Sequence, residues 1–276
     1  MTVKSSVLPG MDSEDPYVIP AHYEYDYNTN GNQRGKHIPC DRRYISYTYD
    51  GAGRLTLEYD GGLGYDSQRS YVYDPSGNRT REIYVANPTE QYGTLAINTT
   101  DYVYDANNRL ISLSSGGVTN TYTYDNNGNM LADGSKTFTY NVLNQLISFT
   151  NGPVTANYGY LPNGLRSYKS VTDGTNSTYN SFVWDGDKLA YEYTATNANT
   201  PQMYVGTVYN YGHGLISHSD NLNGNYILYA TDGHGDVTKL LDATNPNFYD
   251  PVDENEFDAF GNGGANEYSR MGYAGE

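Results

Sequence analysis

The phrase Tyr-Asp-x-x-Gly, closing a run in which aromatic residues alternate with others, recurs along this 276-residue chain and limits what it can fold into. It stands at Tyr49-Asp50-Gly51-Ala52-Gly53, Tyr73-Asp74-Pro75-Ser76-Gly77 and Tyr124-Asp125-Asn126-Asn127-Gly128, with Phe257-Asp258-Ala259-Phe260-Gly261 near the end. Degenerate copies begin at Tyr104-Asp105, Tyr140-Asn141, Tyr160-Leu161 and Trp184-Asp185. From Tyr49 to Trp184 successive copies start 24, 31, 20, 16, 20 and 24 residues apart. A period of that size marks a repeat architecture, in which each supersecondary unit buries its face only against its neighbours.

Within one repeat the aromatics sit two apart, as in Tyr47 and Tyr49, Tyr71 and Tyr73, Tyr122 and Tyr124, and Phe138 and Tyr140. A period of two places both rings on one face of a strand, while β-favouring residues such as Thr48, Val72 and Thr123 point the other way. Asp50, Asp74, Asp105 or Asp125 then starts a turn, because its carboxylate accepts from the backbone two residues on. Gly53, Gly77, Gly128 and Gly261 supply the positive φ of a tight hairpin loop. A second strand follows, as in Arg54-Leu55-Thr56-Leu57 and Arg109-Leu110-Ile111-Ser112-Leu113. Strand, turn and strand in about 20 residues make a β-hairpin, so the chain is expected to be all-β, an array of tandem hairpins. Rings on neighbouring hairpins are expected to stack across the ladder, each pair adding roughly 0.2–1 kcal/mol. Phenol oxygens should reach the wet edge or the next turn. The 32 tyrosines therefore read first as strand packing.

Along the chain, residues 1–20 form an irregular lead-in and 21–276 the repeat domain, with hairpin repeats over 21–202 and a changed pattern over 203–276. Tyr25, 24 residues before Tyr49, is expected to open the repeats. Helical periodicity is absent except for a single expected turn near Lys239-Leu240-Leu241.

Thirty-two acidic residues against 16 lysines and arginines argue against nucleic-acid binding, which needs clustered cations to release counterions. One cysteine excludes an internal disulfide framework, and no apolar run reaches membrane-spanning length. The first twenty residues lack the basic start and apolar centre of a signal peptide, so the chain is expected to begin inside a longer protein or to leave the cell by another route. The densest polar cluster is Asp232, His234 and Asp236, with His213 and His218 upstream. If these stood in a strand, alternation would put the first three on one face, where a divalent metal could bind. The competing account, a turn whose histidine packs or hydrogen-bonds, is favoured, and no metal or cofactor is expected. No serine sits in a Gly-x-Ser-x-Gly elbow, and no two of the many turn aspartates stand out as a glycosidase pair, so no catalytic residue is assigned.

The ordered series of phrases resembles the Rhs/YD-repeat family of bacterial surface and polymorphic-toxin proteins, whose repeat is shared by Tc-toxin shell subunits and teneurins. The resemblance rests on the YD turns and, in order, on Tyr160-Leu161-Pro162-Asn163-Gly164-Leu165-Arg166, Phe182-Val183-Trp184-Asp185-Gly186-Asp187 and Gly212-His213-Gly214-Leu215-Ile216. Asp232-Gly233-His234-Gly235-Asp236-Val237, Phe257-Asp258-Ala259-Phe260-Gly261-Asn262 and Tyr273-Ala274-Gly275-Glu276 follow. It implies a spiralling, curved antiparallel sheet, an open shell or partial barrel. It implies a non-catalytic structural segment of a secreted or cell-surface protein that encloses or displays a passenger toxin polypeptide. In the family the segment resembling Tyr-Ala-Gly-Glu precedes a closing motif, a self-cleavage region and a variable toxin, so none of that autoprotease is expected within 1–276. The implied partners are the rest of the parent chain and its passenger. The alternative is a module binding cell-surface glycans through exposed tyrosines. Self-association through sheet edges is also expected, and membrane insertion is not.

Overall fold

A computed structural model describes residues 3–5, 23–39, 42–88, 94–196, 204–212, 214–220, 224–232, 234–244 and 252–254. Among these residues the chain is all-β and contains no α-helix. It divides into two compact units. One holds Met1–Val103, Ser114–Val118 and Leu228–Glu276, and the other holds Tyr104–Leu113 and Thr119–Ile227.

The first unit opens with β1 (Val3–Ser5), β2 (Tyr23–Tyr27), β3 (Gln33–Ile38), β4 (Arg43–Tyr49) and β5 (Leu55–Gly62). It continues with β6 (Tyr65–Tyr73), β7 (Arg79–Ala86) and β8 (Ala96–Tyr104), whose last residue belongs to the second unit. Each strand pairs antiparallel with the next, as hairpins in sequence require. Next come β9 (Leu110–Ser115), β10 (Val118–Tyr124), β11 (Met130–Asp133), β12 (Lys136–Tyr140), β13 (Leu146–Asn151) and β14 (Val154–Tyr160). β15 (Arg166–Thr172), β16 (Ser177–Asp185), β17 (Lys188–Thr196), β18 (Tyr204–Tyr211) and β19 (Leu215–Asp220) follow. From β10 to β19 the same consecutive antiparallel pairing continues. β20 (Asn225–Thr231), β21 (Val237–Asp242) and β22 (Asp253–Glu254) complete the strands. Lys239-Leu240-Leu241, expected as a helical turn, lies inside β21, with Leu240 and Leu241 both buried. β21 runs six residues, long enough for a strand and short for a helix, and in a strand the adjacent Leu240 and Leu241 point to opposite faces.

The ladder slips at a fixed place in the hairpins that carry the repeat turn. The pairing register shifts between Thr48 and Tyr49, Val72 and Tyr73, Thr123 and Tyr124, Thr139 and Tyr140, Gly159 and Tyr160, and Val183 and Trp184. A bulge beside the turn adds local twist and re-aims the last aromatic of the strand. It also sets which residues share a face: Tyr73 pairs with Arg79, Tyr140 with Leu146 and Tyr160 with Arg166.

The first hairpin corrects the expected start of the repeats. The same slip falls between Asp26 and Tyr27, and the turn begins at Asn28, whose Oδ1 accepts from the N–H groups of Asn30 and Asn32. The pre-turn aromatic is therefore Tyr27, and the Tyr25-Asp26 pair lies within β2. Asn28 and Gly31 outcompete Asp26 because together they satisfy both the side-chain acceptor and the positive φ, +86° at Gly31.

Candidate functional site

The turns at Asp50, Asp74, Asp105 and Asp125 are built in one way. The Asp50 N–H donates to Arg54 O (2.9 Å) and the Gly53 N–H to Asp50 O (3.0 Å). Asp50 Oδ1 accepts from the N–H groups of Ala52 and Arg54, both at 2.9 Å. Asp105 and Asp125 repeat this set, and Asp74 Oδ1 likewise takes the Asn78 N–H. The fourth turn residue sits at positive φ, from +81° at Gly53 to +93° at Gly77, and Asn108 (+61°) and Asn144 (+59°) fill it in the degenerate copies.

The fifth residue holds the second carboxylate oxygen. Arg54 Nε and Arg109 Nε donate at 2.7 Å to Oδ2 of Asp50 and Asp105, and Asn78 and Asn129 amides donate at 2.9 and 2.8 Å to Asp74 and Asp125. The carboxyls are held below the ordinary range, Asp50 and Asp105 chiefly by the backbone N–H of Arg54 and Arg109. Asp74 and Asp125 are held there chiefly by the side-chain amides of Asn78 and Asn129. These carboxylates are ionised at neutral pH with their lone pairs engaged, which suits a fastener and not a proton-transfer group.

The pre-turn aromatic joins one hairpin to the one before it. Tyr49 Oη donates to Gln33 O, Tyr73 to Leu55 O, Tyr124 to Leu110 O and Tyr160 to Leu146 O, at 2.7–2.8 Å. Each acceptor is the first residue after the preceding turn. Trp184 takes the tyrosine's place, and its Nε1 donates to Arg166 O at 2.8 Å. The phenols thus reach back to the previous hairpin's strand rather than to a turn.

Arginine adds a second tie. The Arg54 guanidinium lies 5.0 Å from the Tyr73 ring and donates to Asp74 O, and Arg109 lies 5.1 Å from Tyr124 and donates to Asp125 O. Cation–π packing of this kind occupies much of the space where ring-on-ring stacking was expected. Ring pairs do occur at Phe138–Phe149 (5.4 Å) and at Tyr168–Tyr179 (5.6 Å, nearly parallel).

On the tyrosine face of β4–β8 lies a partly buried charged network that sequence reasoning missed. Arg43 pairs through two nitrogens with Asp60, Arg69 with Glu58 at 3.1 Å, and Arg79 with Glu82 at 3.4 Å. The Arg79 guanidinium stacks on Tyr71 and Tyr102. Burial, and then the charge of Glu58, push the Tyr47 phenol far above its ordinary pKa. A readable signal existed: Glu58 and Glu82 each stand eight residues after a turn aspartate, on the face of the pre-turn tyrosines. In the second unit Glu192, also buried, accepts from Asn180 Nδ2 at 2.8 Å.

Asp232, His234 and Asp236 offer ligand atoms within 4.8 Å of one another. They do not share a strand face. They belong to a turn between β20 and β21, with Asp232 and Asp236 buried and His234 exposed. That turn copies the repeat: Asp232 N–H to Asp236 O, Gly235 N–H to Asp232 O, and Asp232 Oδ1 accepting from His234 and Asp236 N–H. Asp232 Oδ2 takes the ammonium of Lys36 at 3.0 Å. A cation of the protein's own thus neutralises this oxygen. His218 lies in the second unit, its ring 6.0 Å from that of Tyr209, and burial lowers its pKa. Phe257, Asp258, Gly261 and His213 lie outside the described residues.

Residues 89–183 match the protein family described as Teneurin YD-shell. The crystal structure of TcdB2-TccC3 and that of TcdB2-TccC3 without its hypervariable C-terminal region are similar in fold, each with a TM-score of 0.58. They are 15% and 14% identical, over 92% of this chain. The YD-repeat match is carried by residues 89–183. The chain spans 16% of the length of those solved chains, and no curated protein matches it in sequence. Its turn ladder is the recurring contact of the repeat, and no helix among its described residues is long and apolar enough to cross a membrane.

Proposed function

We propose that this chain is a non-catalytic structural segment of a secreted or cell-surface YD-repeat protein, and that the complete shell encloses a passenger polypeptide. The observation that carries the reading is the commitment of the repeat's polar groups to joining hairpins. Turn carboxylates hold their own loops, and tyrosine hydroxyls and arginines hold the neighbouring hairpin. A surface assembled this way provides extent and rigidity without a group reserved for chemistry. The fold likeness to the TcdB2-TccC3 crystal structures supports a wall-forming role. Enclosure is tested on the full natural product of the reading frame, by digestion with a broad-specificity protease before and after mild denaturation. Enclosure predicts a polypeptide cut only after the shell is opened. A passenger digested at the same rate in both states contradicts it.

One observation favours a second reading, glycan binding. Tyr168, Tyr179 and Tyr191 share one face of β15–β17, since Tyr168 pairs with Ser181 and Tyr191 with Val183, both in step with Tyr179. Tyr179 and Tyr191 are exposed. However, the Tyr168 ring lies over Gly159, leaving no room there for a Cβ, which gives that ring a packing role of its own. Glycan-array binding that is lost in Tyr179→Ala/Tyr191→Ala would favour this reading, and an array without signal would remove it.

A further inference from the structure

The turn at Asp232 departs from its siblings at one position. In the turns of Asp50, Asp74, Asp105 and Asp125 the fifth residue is Arg or Asn, and it donates to the aspartate Oδ2. Here the fifth residue is Asp236, a second carboxyl where the siblings carry a guanidinium or an amide. The donor comes instead from Lys36 on β3, 196 residues away in sequence. Lys36 is held closely: its side chain is 16% exposed, and its ammonium lies 3.0 Å from Asp232 Oδ2 and 4.7 Å from the centre of the Tyr23 ring.

Two further contacts run between the same segments. Tyr23 Oη donates to Thr238 Oγ1 at 3.0 Å, and Thr238 donates in turn to Ala230 O. Tyr25, 1% exposed, meets the His234 ring edge-on at 5.2 Å. All of these residues lie in the first unit.

We infer that Lys36 completes the Asp232 turn in trans, and that this substitution of a distant donor for the usual fifth residue turns the 228–242 hairpin into a latch on β2 and β3. A turn complete in itself has no need of a distant partner. Without that fifth-residue donor, the turn offers its buried carboxylate only the His234 ring, 3.8 Å from Oδ2, until Lys36 arrives at 3.0 Å, so folding of the hairpin and docking of the segments become one event. The inference concerns how the chain is fastened and stands whether or not the shell encloses a passenger.

The test is hydrogen–deuterium exchange on the whole chain, with Lys36→Met, Asp236→Asn and the double variant. Lys36→Met keeps most of the stem and removes the ammonium. It is expected to speed exchange at least about tenfold in both 33–38 and 228–242, as loss of a partner from a buried charge implies, while β12–β15 exchange unchanged. Asp236→Asn supplies in cis the amide that Asn78 and Asn129 supply in their own turns. In the double variant protection should return to the 232–236 turn but not to 33–38. If Lys36→Met does not fold, recovery of folding in the double variant supports the inference, and failure of both overturns it. Wild-type exchange in Lys36→Met, or a double variant whose turn stays unprotected, also overturns it.

Discussion

The hairpins between Tyr71 and Ala156 and the latch between β2–β3 and the 228–242 hairpin stay folded by different means. Among the described residues from 72 to 155 none is fully buried, whereas Tyr25, Val237, Leu240 and Leu241 are each at most 2% exposed. In the hairpins, stability is divided among many equal, local bonds: a carboxylate in its turn, a phenol on the previous strand, a guanidinium on the next ring. In the latch it is concentrated in a few apolar side chains and one buried ion pair. A repeat that must tolerate neighbours on both sides cannot depend on deep burial, because every unit would then need a unique partner surface. A junction between segments far apart in sequence needs such a surface, since only a specific fit offsets the chain entropy of bringing them together.

The comparison breaks first at Leu240. Leu240→Ala should cost roughly 2–5 kcal/mol in chemical denaturation, while the same truncation at Leu131, 39% exposed, should cost a small fraction of that. Similar losses at both sites would show that the regions are not built differently. In the hairpins, Gly128→Ala places a side chain at φ +89° and should cost about 1 kcal/mol or more. Tyr124→Phe removes one phenol–carbonyl bond and should cost about 1 kcal/mol, with exchange rising at Leu110 and its neighbours.

A smaller effect is a pH window confined to the latch. The Asp232 carboxylate raises the His234 pKa above its ordinary 6.5, so this contribution is whole below that value and is lost as pH rises through the higher folded one. For Asp232, burial opposes ionisation. The His234 ring, Lys36 and the turn N–H overcome it and hold the carboxyl well below the ordinary 3.8. That contribution is present above 3.8 and fades as pH falls below it. Protection of 228–242, corrected for intrinsic exchange, should therefore be greatest between about pH 4 and 6.5, and His234→Gln should flatten the upper limb. Smallest of all is Arg81→Ala. Its pair with Asp101 is about half exposed on both sides, so the denaturation midpoint should stay where it was.

The hairpins are readable in the sequence because each carries its own instructions. The alternation of Tyr71 and Tyr73, the carboxylate of Asp74 and the glycine at 77 act within a few residues of one another. Asn108 and Asn144 are readable for the same reason, since asparagine tolerates the left-handed region. The first turn was misplaced by two residues because Tyr25-Asp26 mimics the motif, while the working turn uses Asn28. The Asp232 turn keeps the Asp-x-x-Gly spacing but follows Thr231 instead of an aromatic, and so reads as a polar cluster. Lys36 could not be found at all. A lysine in Gln33–Ile38 has no local feature that sets it apart, and its role exists only once residues 196 apart in the chain meet.

The account rests on pre-turn aromatics that hydrogen-bond to the preceding hairpin, and Trp184 allows one such bond to be observed alone. It is the single tryptophan, so its indole N–H gives one resonance in a proton–nitrogen spectrum. With Nε1 donating to Arg166 O at 2.8 Å, that proton should exchange with solvent at least about tenfold more slowly than in free tryptophan. It should also lose this protection when urea unfolds the β15–β16 hairpin. An indole proton exchanging at the free rate in the folded chain would contradict the account.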